Sequence, residues 1–377
     1  MRPIRIVADA SIPYLSLGMP TQGVEVIYLP SQEITAQSVR DADALMIRSV
    51  TQCNRSLLHK SSIKLVTTAT AGTDHIDADY CKQKGITWYN APGCNAMGVV
   101  QYVLTALSFL AKKQNKPLKG QTIGIVGVGN VGGRLKLLAE AIGMKTLCVD
   151  PPRARKEGAA SSFVSLNDLP QNCDIISLHT PLTHSGEDAT YHLIEESFLS
   201  SCSHQKPLLI NACRGAVTDT IALKKAIDRG WIRGAIIDCW EREPHIDTDL
   251  LQRALLASPH IAGFSAEGKA RGAAMSLEAL GKFFGIDLPN LDQVCPQPPL
   301  NPHIDLTNHS EQWVIEEALL QTLNPLQSDQ DLRNAPDRFE QLRTDYFHQP
   351  EMSAYTIFGV SDYQIRETLQ AIGFHLS

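Results

Sequence analysis

Three side chains suited to acid–base and carboxylate chemistry stand just past three successive β-prone runs. Arg214 follows 208–211, Glu243 follows 236–238 and His260 follows 255–257. An unperturbed imidazole titrates at about 6.5, so it can take and return a proton near neutrality. A guanidinium grips a carboxylate through two parallel hydrogen bonds, which a lysine cannot copy. A carboxylate beside the imidazole orients it and stabilises its cation. The set fits oxidation of a 2-hydroxy acid at C2, with Arg214 binding the substrate carboxylate, His260 as base and Glu243 as its partner. Taken singly, His260 reads as a loop residue, Glu243 as a turn residue and Arg214 as a surface ion-pair partner. Their joint placement carries the reading, because the carboxyl ends of strands in an open α/β sheet form one ligand crevice. Cys94 and Cys213 could be proposed as nucleophiles, but hydride removal needs none and cysteine often behaves as a small buried hydrophobe.

Such a reaction needs a hydride acceptor, and a dinucleotide loop is present. Gly127, Gly129 and Gly132, with Asn130 and Val131 between them, follow a strand-like run at 122–126 and open a helical stretch to 142. Gly127 permits the tight turn, Gly129 lets the backbone approach a pyrophosphate, and Gly132 brings helix against strand, while the helix N-terminus supplies unpaired N–H groups. Asp150 ends the next strand about 20 residues beyond the loop, where an acidic side chain accepts from ribose hydroxyls and repels a 2′-phosphate. NAD is therefore the expected cofactor. Arg153 and Arg155 leave the alternative open, since they could accommodate the extra phosphate of NADP.

The elements that must hold these residues follow from hydrophobic rhythm. Apolar runs at 4–8, 24–29, 44–47, 65–69 and 86–89 alternate with helix-length segments. A helical segment at 99–111 leads to a second series with strands at 122–126, 145–149, 174–178, 207–210, 235–237 and 255–257. That alternation predicts an α/β fold: a flavodoxin-like substrate domain (1–98, completed by 266–288) and a doubly wound parallel-sheet Rossmann domain (99–265). Beyond Pro289, Pro296, Pro298, Pro299 and Pro302, the segment 289–377 reads as a small α+β C-terminal domain, with helices at 312–322, 338–346 and 363–372 and a strand at 355–358. So small a unit calls for a partner surface, either a second subunit in a homodimer or its own chain.

Composition narrows the classes. With 377 residues and a net charge of −6, the chain has no general attraction for nucleic acid or anionic membrane, so any phosphate site must be built locally. The nine cysteines form no C-x-x-C pair and no zinc spacing, so no metal site is expected and reduced thiols in the cytoplasm are. No signal peptide or apolar run of roughly 18 residues is evident.

These motifs resemble the D-isomer-specific 2-hydroxyacid dehydrogenase family. The resemblance runs through Thr70-Ala71-Gly72-Thr73-Asp74-His75-Ile76-Asp77, the glycine loop, Asn211-Ala212-Cys213-Arg214-Gly215, Asp238-Cys239-Trp240-Glu241-Arg242-Glu243-Pro244 and Ser258-Pro259-His260-Ile261-Ala262-Gly263. Further segments are similar to a branch of that family that acts on a small phosphorylated 2-hydroxy acid in pyridoxal 5′-phosphate synthesis: 47–51, 91–96, 148–153, 268–272, and the tail residues Phe339, Leu342, Arg343 and Tyr346. The resemblance implies catalytic roles for Arg214, Glu243 and His260. It implies that Ser49 and Thr70 contact substrate, that Asp150, Thr180, Ala212, Cys213, Arg214, Asp238 and Gly263 line the NAD site, and that the tail dimerises. Where the branch has a substrate-contacting tyrosine, this chain has Phe264, which keeps the ring without its hydroxyl. Donors for the substrate phosphate are expected from Arg48, Ser49 and the turn 70–73, with Arg343 as a further candidate; Arg48 could equally be a structural ion-pair residue. Two other readings remain: a relative acting on 3-phosphoglycerate or glycerate, and a non-enzymatic NAD-sensing regulator on the same fold.

Overall fold

The computed structural model describes residues 2–377. The chain forms two compact units, one of Met1–Asn95 with Ser265–Gln297 and one of Ala96–Phe264 with Pro298–Ser377.

In the first unit, β1 (Ile4–Asp9), β2 (Val24–Leu29), β3 (Ala44–Ile47), β4 (Leu65–Thr68) and β5 (Thr87–Tyr89) make a parallel sheet in the order β2-β1-β3-β4-β5, the flavodoxin-like winding expected. β3 and β4 are buried throughout, as central parallel strands covered on both faces must be. The helix Ala266–Phe284 returns to this sheet, as expected. Ser265 caps its N-terminus by accepting from the Gly268 N–H, and Ala273, Leu277 and Leu280 are fully buried along it. Gly272 sets its approach, because a Cβ there would lie 2.5 Å from the Ala69 carbonyl oxygen.

The second unit carries β6 (Thr122–Val126), β7 (Lys145–Val149), β8 (Ile175–Leu178), β9 (Leu208–Asn211), β10 (Gly234–Ile237) and β11 (Leu256–Ala257). All pair in parallel, in the order β11-β10-β9-β8-β6-β7. The winding reverses between β6, with β7 on one side, and β8 on the other, which opens a crevice at their carboxyl ends. The helix Ala96–Gln114 is buried on nearly every side, as its almost uninterrupted apolar sequence requires.

The tail does not stand apart from this unit. A three-stranded parallel sheet of β12 (His303–Asp305), β13 (Thr356–Phe358) and β14 (His375–Leu376) sits among the helices Val314–Thr322, Pro325–Asn334, Phe339–Asp345 and Tyr363–Ala371. Ile304, Val314, Leu319, Ile357, Leu369 and Phe374 join the core built around Ala96–Gln114. Gln101, buried within that helix, donates to Thr322 Oγ1 and the Pro350 carbonyl at 3.0 Å each and accepts from the Met352 N–H at 3.1 Å. A buried amide satisfied only by the tail ties the two segments together. The segment expected as a third domain from 289 is therefore divided: 289–297 stays with the first unit, and Pro298–Ser377 forms one unit with the Rossmann segment because the two share a core. The helix Pro325–Asn334 was not expected, since its sequence is too polar to show an apolar stripe; Asn324 as N-cap and Pro325 in the first turn were its only signals.

Candidate active site

The glycine loop leaves β6 at Gly127, whose φ of +87° is a left-handed conformation open to glycine. A Cβ at Gly132 would sit 2.0 Å from the Gly127 carbonyl oxygen, so this residue lets the helix Asn130–Ile142 fold back onto the turn. At Gly129 a Cβ would meet nothing within 4 Å; the backbone here faces open space. No side chain caps that helix, which leaves its first N–H groups to an anionic ligand. Thr180, just past β8, has its Oγ1 buried with no nitrogen or oxygen partner among the described residues. An open cradle and an uncapped helix on one side of the crevice, and on the other a buried hydroxyl with no nitrogen or oxygen partner, fit a dinucleotide.

Asp150 caps the helix Pro151–Glu157 through the Arg153 N–H at 3.1 Å and accepts from the Val128 N–H at 2.9 Å. The carboxylate thus braces the loop, and its remaining lone pairs are available to ribose hydroxyls. The two arginines that left NADP open are already engaged. Arg153 pairs with Glu157 at 2.8 Å, donates to the Val128 carbonyl at 2.8 Å and lies over the Phe163 ring, while Arg155 pairs with Glu187 and Asp188.

The three catalytic candidates stand past β9, β10 and β11, which are neighbours in the sheet. Gly215 lets the first two turns meet, since a Cβ there would lie 1.9 Å from the Trp240 carbonyl carbon. Asn211 holds the Arg214 turn by donating to the Arg214 and Gly215 carbonyls at 3.0 and 3.3 Å. Glu243 is locked from both sides: Oε1 accepts from the Trp240 N–H at 2.7 Å, and Oε2 meets His260 Nδ1 at 2.7 Å. Burial alone would raise the Glu243 carboxyl. Its hydrogen bond to His260, the charges of His260 and Arg343 and the Trp240 N–H outweigh burial and hold it below the usual range.

His260 occupies a left-handed backbone conformation, φ +55°, which a β-carbon disfavours. Its surroundings impose it. The His260 N–H donates to the Asp238 carbonyl at 2.9 Å, and Asp238 Oδ1 accepts from Ser258 Oγ, the Ile261 N–H and the Ala262 N–H at 2.6, 2.7 and 3.2 Å. Tyr102 extends the chain at 2.7 Å from Ser258 Oγ, and the Trp240 indole donates to the Ser258 carbonyl at 2.9 Å. The Asp238 carboxylate, expected to line the cofactor site, is thus fully buried and spent on the turn that carries His260. Burial pushes its carboxyl up despite these donors.

Cys239, Glu243 and His260 offer ligand atoms within 4.8 Å of one another. A cation there would displace the Glu243–His260 hydrogen bond and need the Cys239 thiolate, yet burial and the nearby Asp238 and Glu243 charges push that thiol well up. The trio suits proton transfer better than metal binding. Burial likewise raises the Cys94 and Cys213 thiols, so neither is an activated nucleophile.

The remaining expected residues divide between the units. In the first, Ser49 is exposed past β3, and Thr70, half-buried past β4, donates from Oγ1 to the Gly72 carbonyl at 3.1 Å. Thr70 Oγ1 lies 2.8 Å from Thr68 Oγ1, itself 3.0 Å from Nε2 of His75, whose pKa burial lowers to about 4. Arg48 pairs with the fully buried Asp9 at 3.1 Å and donates to Ser31 Oγ at 3.2 Å, the structural alternative left open above. In the second unit Ala212 and Cys213 are buried between β9 and Arg214, and Gly263 is half-buried beyond His260.

Phe264 meets three residues of the tail. Its ring is edge-on to Tyr346 at 6.4 Å and to His348 at 5.9 Å, and the Arg343 guanidinium lies 5.8 Å from its centroid. Arg343 thus reaches the catalytic turn from its own chain. The i, i+3 spacing of Arg343 and Tyr346 was the available signal; their target was not legible.

Comparison with known proteins places the chain in a family. Residues 105–262 match the family model described as D-isomer specific 2-hydroxyacid dehydrogenase, NAD binding domain. The erythronate-4-phosphate dehydrogenase of Porphyromonas gingivalis is 50% identical, over 95% of this chain and 96% of its own length. That of Escherichia coli is 40% identical, over 99% and 98%. Among solved structures, the NAD+-bound 3-phosphoglycerate dehydrogenase of Entamoeba histolytica superposes with a TM-score of 0.64 at 25% identity, covering 75% of this chain and 96% of that one. The D-lactate dehydrogenase of Aquifex aeolicus, complexed with NAD and lactic acid, gives 0.61 at 25% identity, covering 76% and 97%. Built on an NAD-binding Rossmann domain and similar over nearly its whole length to these dehydrogenases, the chain belongs to the D-isomer specific 2-hydroxyacid dehydrogenase family.

Proposed function

We propose that the chain oxidises 4-phospho-D-erythronate at C2 to (R)-3-hydroxy-2-oxo-4-phosphooxybutanoate, with NAD as cofactor, in the synthesis of pyridoxal 5′-phosphate. The observation that carries the reaction type is the 2.7 Å contact of His260 Nδ1 with Glu243 at the strand ends beside Arg214. The substrate reading is supported by the names of the relatives at 40–50% identity.

NAD, when bound, supplies the nicotinamide that accepts hydride from C2. The chain does the rest. Glu243 accepts at Nδ1 and so fixes the tautomer in which Nε2 is unprotonated and able to take the C2 hydroxyl proton. As that proton arrives, the Glu243 carboxylate stabilises the imidazolium. Arg214 binds the substrate carboxylate and favours negative charge on the neighbouring C2 oxygen. Gly127, Gly129, Asn130, Val131 and Gly132 hold the pyrophosphate, and Asp150, Thr180, Ala212, Cys213 and Gly263 line the rest of the cofactor site, while Asp238 holds the turn of His260 from behind. Ser49, Thr70 and Phe264 contact substrate. We extend the reading to a homodimer formed through the tail, a segment small enough to call for a partner surface. Nine free cysteines favour a reducing, cytoplasmic setting.

NADH formation across 4-phospho-D-erythronate, 3-phosphoglycerate, glycerate and lactate tests the substrate. The first should give the highest kcat/KM; preference for 3-phosphoglycerate would overturn the assignment, and no turnover of any would favour a regulator. Light scattering should give twice the chain mass, and a monomer would remove the dimer.

A further inference from the structure

A substrate carrying a phosphate at C4 needs a cationic receptor, and the residue first expected to supply it is occupied. Arg48 spends its Nε on Asp9 and one terminal amino group on Ser31. Another guanidinium stands close to the catalytic pair. Arg343 belongs to the helix Phe339–Asp345, anchored in the second unit by Phe339, which is only 1% exposed, and by Leu342 packed on the same core. Its charge acts on Glu243, the partner of His260. It lies 5.8 Å from the centroid of Phe264, four residues beyond His260, in the cluster that Tyr346 and His348 complete. Its Nε is buried with no hydrogen-bond partner among the described residues.

An arginine whose Nε is withdrawn from water and left unsatisfied carries an unmet demand for an acceptor. Glu243 does not meet it: its charge is felt, but Arg343 Nε has no hydrogen-bond partner among the described residues, and the two Glu243 oxygens are turned to Trp240 and His260. The ring of Phe264 supports the guanidinium but offers it no acceptor. A phosphate monoester matches the guanidinium fork in charge and in the spacing of two oxygens. From these observations, and resting on the phosphorylated-substrate reading above, we infer that Arg343 is the receptor for the substrate phosphate, supplied in cis by the tail, with Phe264 as the platform beneath it. The tail then serves recognition of the substrate as well as assembly. Phenylalanine at 264 leaves that platform without a hydroxyl, so phosphate recognition passes to the arginine above it.

The test compares 4-phospho-D-erythronate with unphosphorylated D-erythronate in the full-length protein carrying NAD, for wild type, Arg343→Ala and Arg343→Lys. Loss of a charge-assisted contact should cut kcat/KM for the phosphorylated substrate by roughly 10²- to 10³-fold. The loss on erythronate should be at least about tenfold smaller, so selectivity for the phosphate collapses. Arg343→Lys, which keeps a point charge without the fork, should fall between the two. Inorganic phosphate, titrated by calorimetry, should bind the wild type more tightly than either variant, and this readout is independent of turnover. Equal losses on both substrates, or none, with phosphate binding unchanged, would overturn the inference while leaving the reaction assignment intact. A wild type that prefers unphosphorylated erythronate would refute the substrate reading itself. Should Arg343→Ala fail to fold, Arg343→Lys carries the same comparison.

Discussion

Replacing Glu243 by glutamine probes the acid–base pair with almost no change in shape. The two carboxylate oxygens have different partners: one accepts from the Trp240 N–H at 2.7 Å and the other meets His260 Nδ1 at 2.7 Å. An amide cannot accept from both. If its oxygen stays on Trp240, its NH2 faces His260 and forces the proton to Nε2, the tautomer that cannot take the substrate proton. If it flips, two N–H groups oppose each other, at about 1–3 kcal/mol for the unsatisfied donor. The imidazolium also loses its counter-charge. Unit charges about 4 Å apart attract by ~4 kcal/mol at an effective dielectric constant of ~20. His260 and Glu243 keep 27% and 21% of their side-chain surface exposed, so about half that value is the fair share. The combined loss is about 3–5 kcal/mol, or roughly 10²- to 10⁴-fold in kcat. Initial rates of NADH formation at saturating substrate measure it, with NAD affinity by fluorescence titration and Tm as controls. A loss below about fivefold, with NAD binding and Tm unchanged, would refute the assignment of His260 as the base oriented by Glu243.

Three further outcomes follow from single contacts. Asp150→Ser keeps a helix cap but removes the charge beside the ribose, so the kcat/KM ratio of NADP to NAD should rise at least about tenfold; an unchanged ratio would reject Asp150 as the selector. Asp329 accepts from the Ala257 N–H at 2.8 Å and pairs with Arg333 at 2.9 Å, which in turn donates to the Leu251 and Ala254 carbonyls. Asp329→Ala leaves the buried Ala257 N–H without its acceptor and half-buried Arg333 without its carboxylate, and frees the edge strand that leads to His260, so it should cost about 1–3 kcal/mol in urea unfolding and lower kcat; unchanged values for both would deny the tail any hold on that strand. Asp43 is buried, which alone would raise its carboxyl, but the Arg5 N–H and the Lys64 and Arg2 side chains hold it below the ordinary 3.8. A depressed carboxyl stabilises the fold above its unfolded pKa and loses that stabilisation as pH falls through its folded one. Asp43→Asn should therefore cost stability near pH 6 and flatten the fall of Tm below about pH 4; an unchanged slope would reject the linkage.

Local chemistry made much of this protein legible from its residues. Strands of parallel sheets must be short apolar runs, so all eleven strands of the two larger sheets lie where hydrophobic rhythm predicts them. The glycine loop could be assigned because its glycines answer to backbone geometry within one turn, and the helix at 266–284 because its stripe and caps are contiguous in sequence. The tail was harder. Its polar helix Pro325–Asn334 is held by Asp329 and Arg333 reaching residues some 70 to 80 positions away, and no window of sequence contains both partners.

The order of Arg214, Glu243 and His260 after successive strands was enough to predict that they could converge, since the rim of a parallel sheet is set by its winding. Only the tertiary structure decided how they are held. The strained turn of His260 depends on Asp238, Ser258 and Tyr102 meeting from three separate segments, and Asp238 proved to serve that turn. The same limit separates Arg48 from Arg343. Both are arginines near motif residues, and the sequence put Arg48 first. Packing gives one a buried carboxylate and leaves the other with an unsatisfied Nε over Phe264, because the energy of a charged group is set by the neighbours folding brings to it.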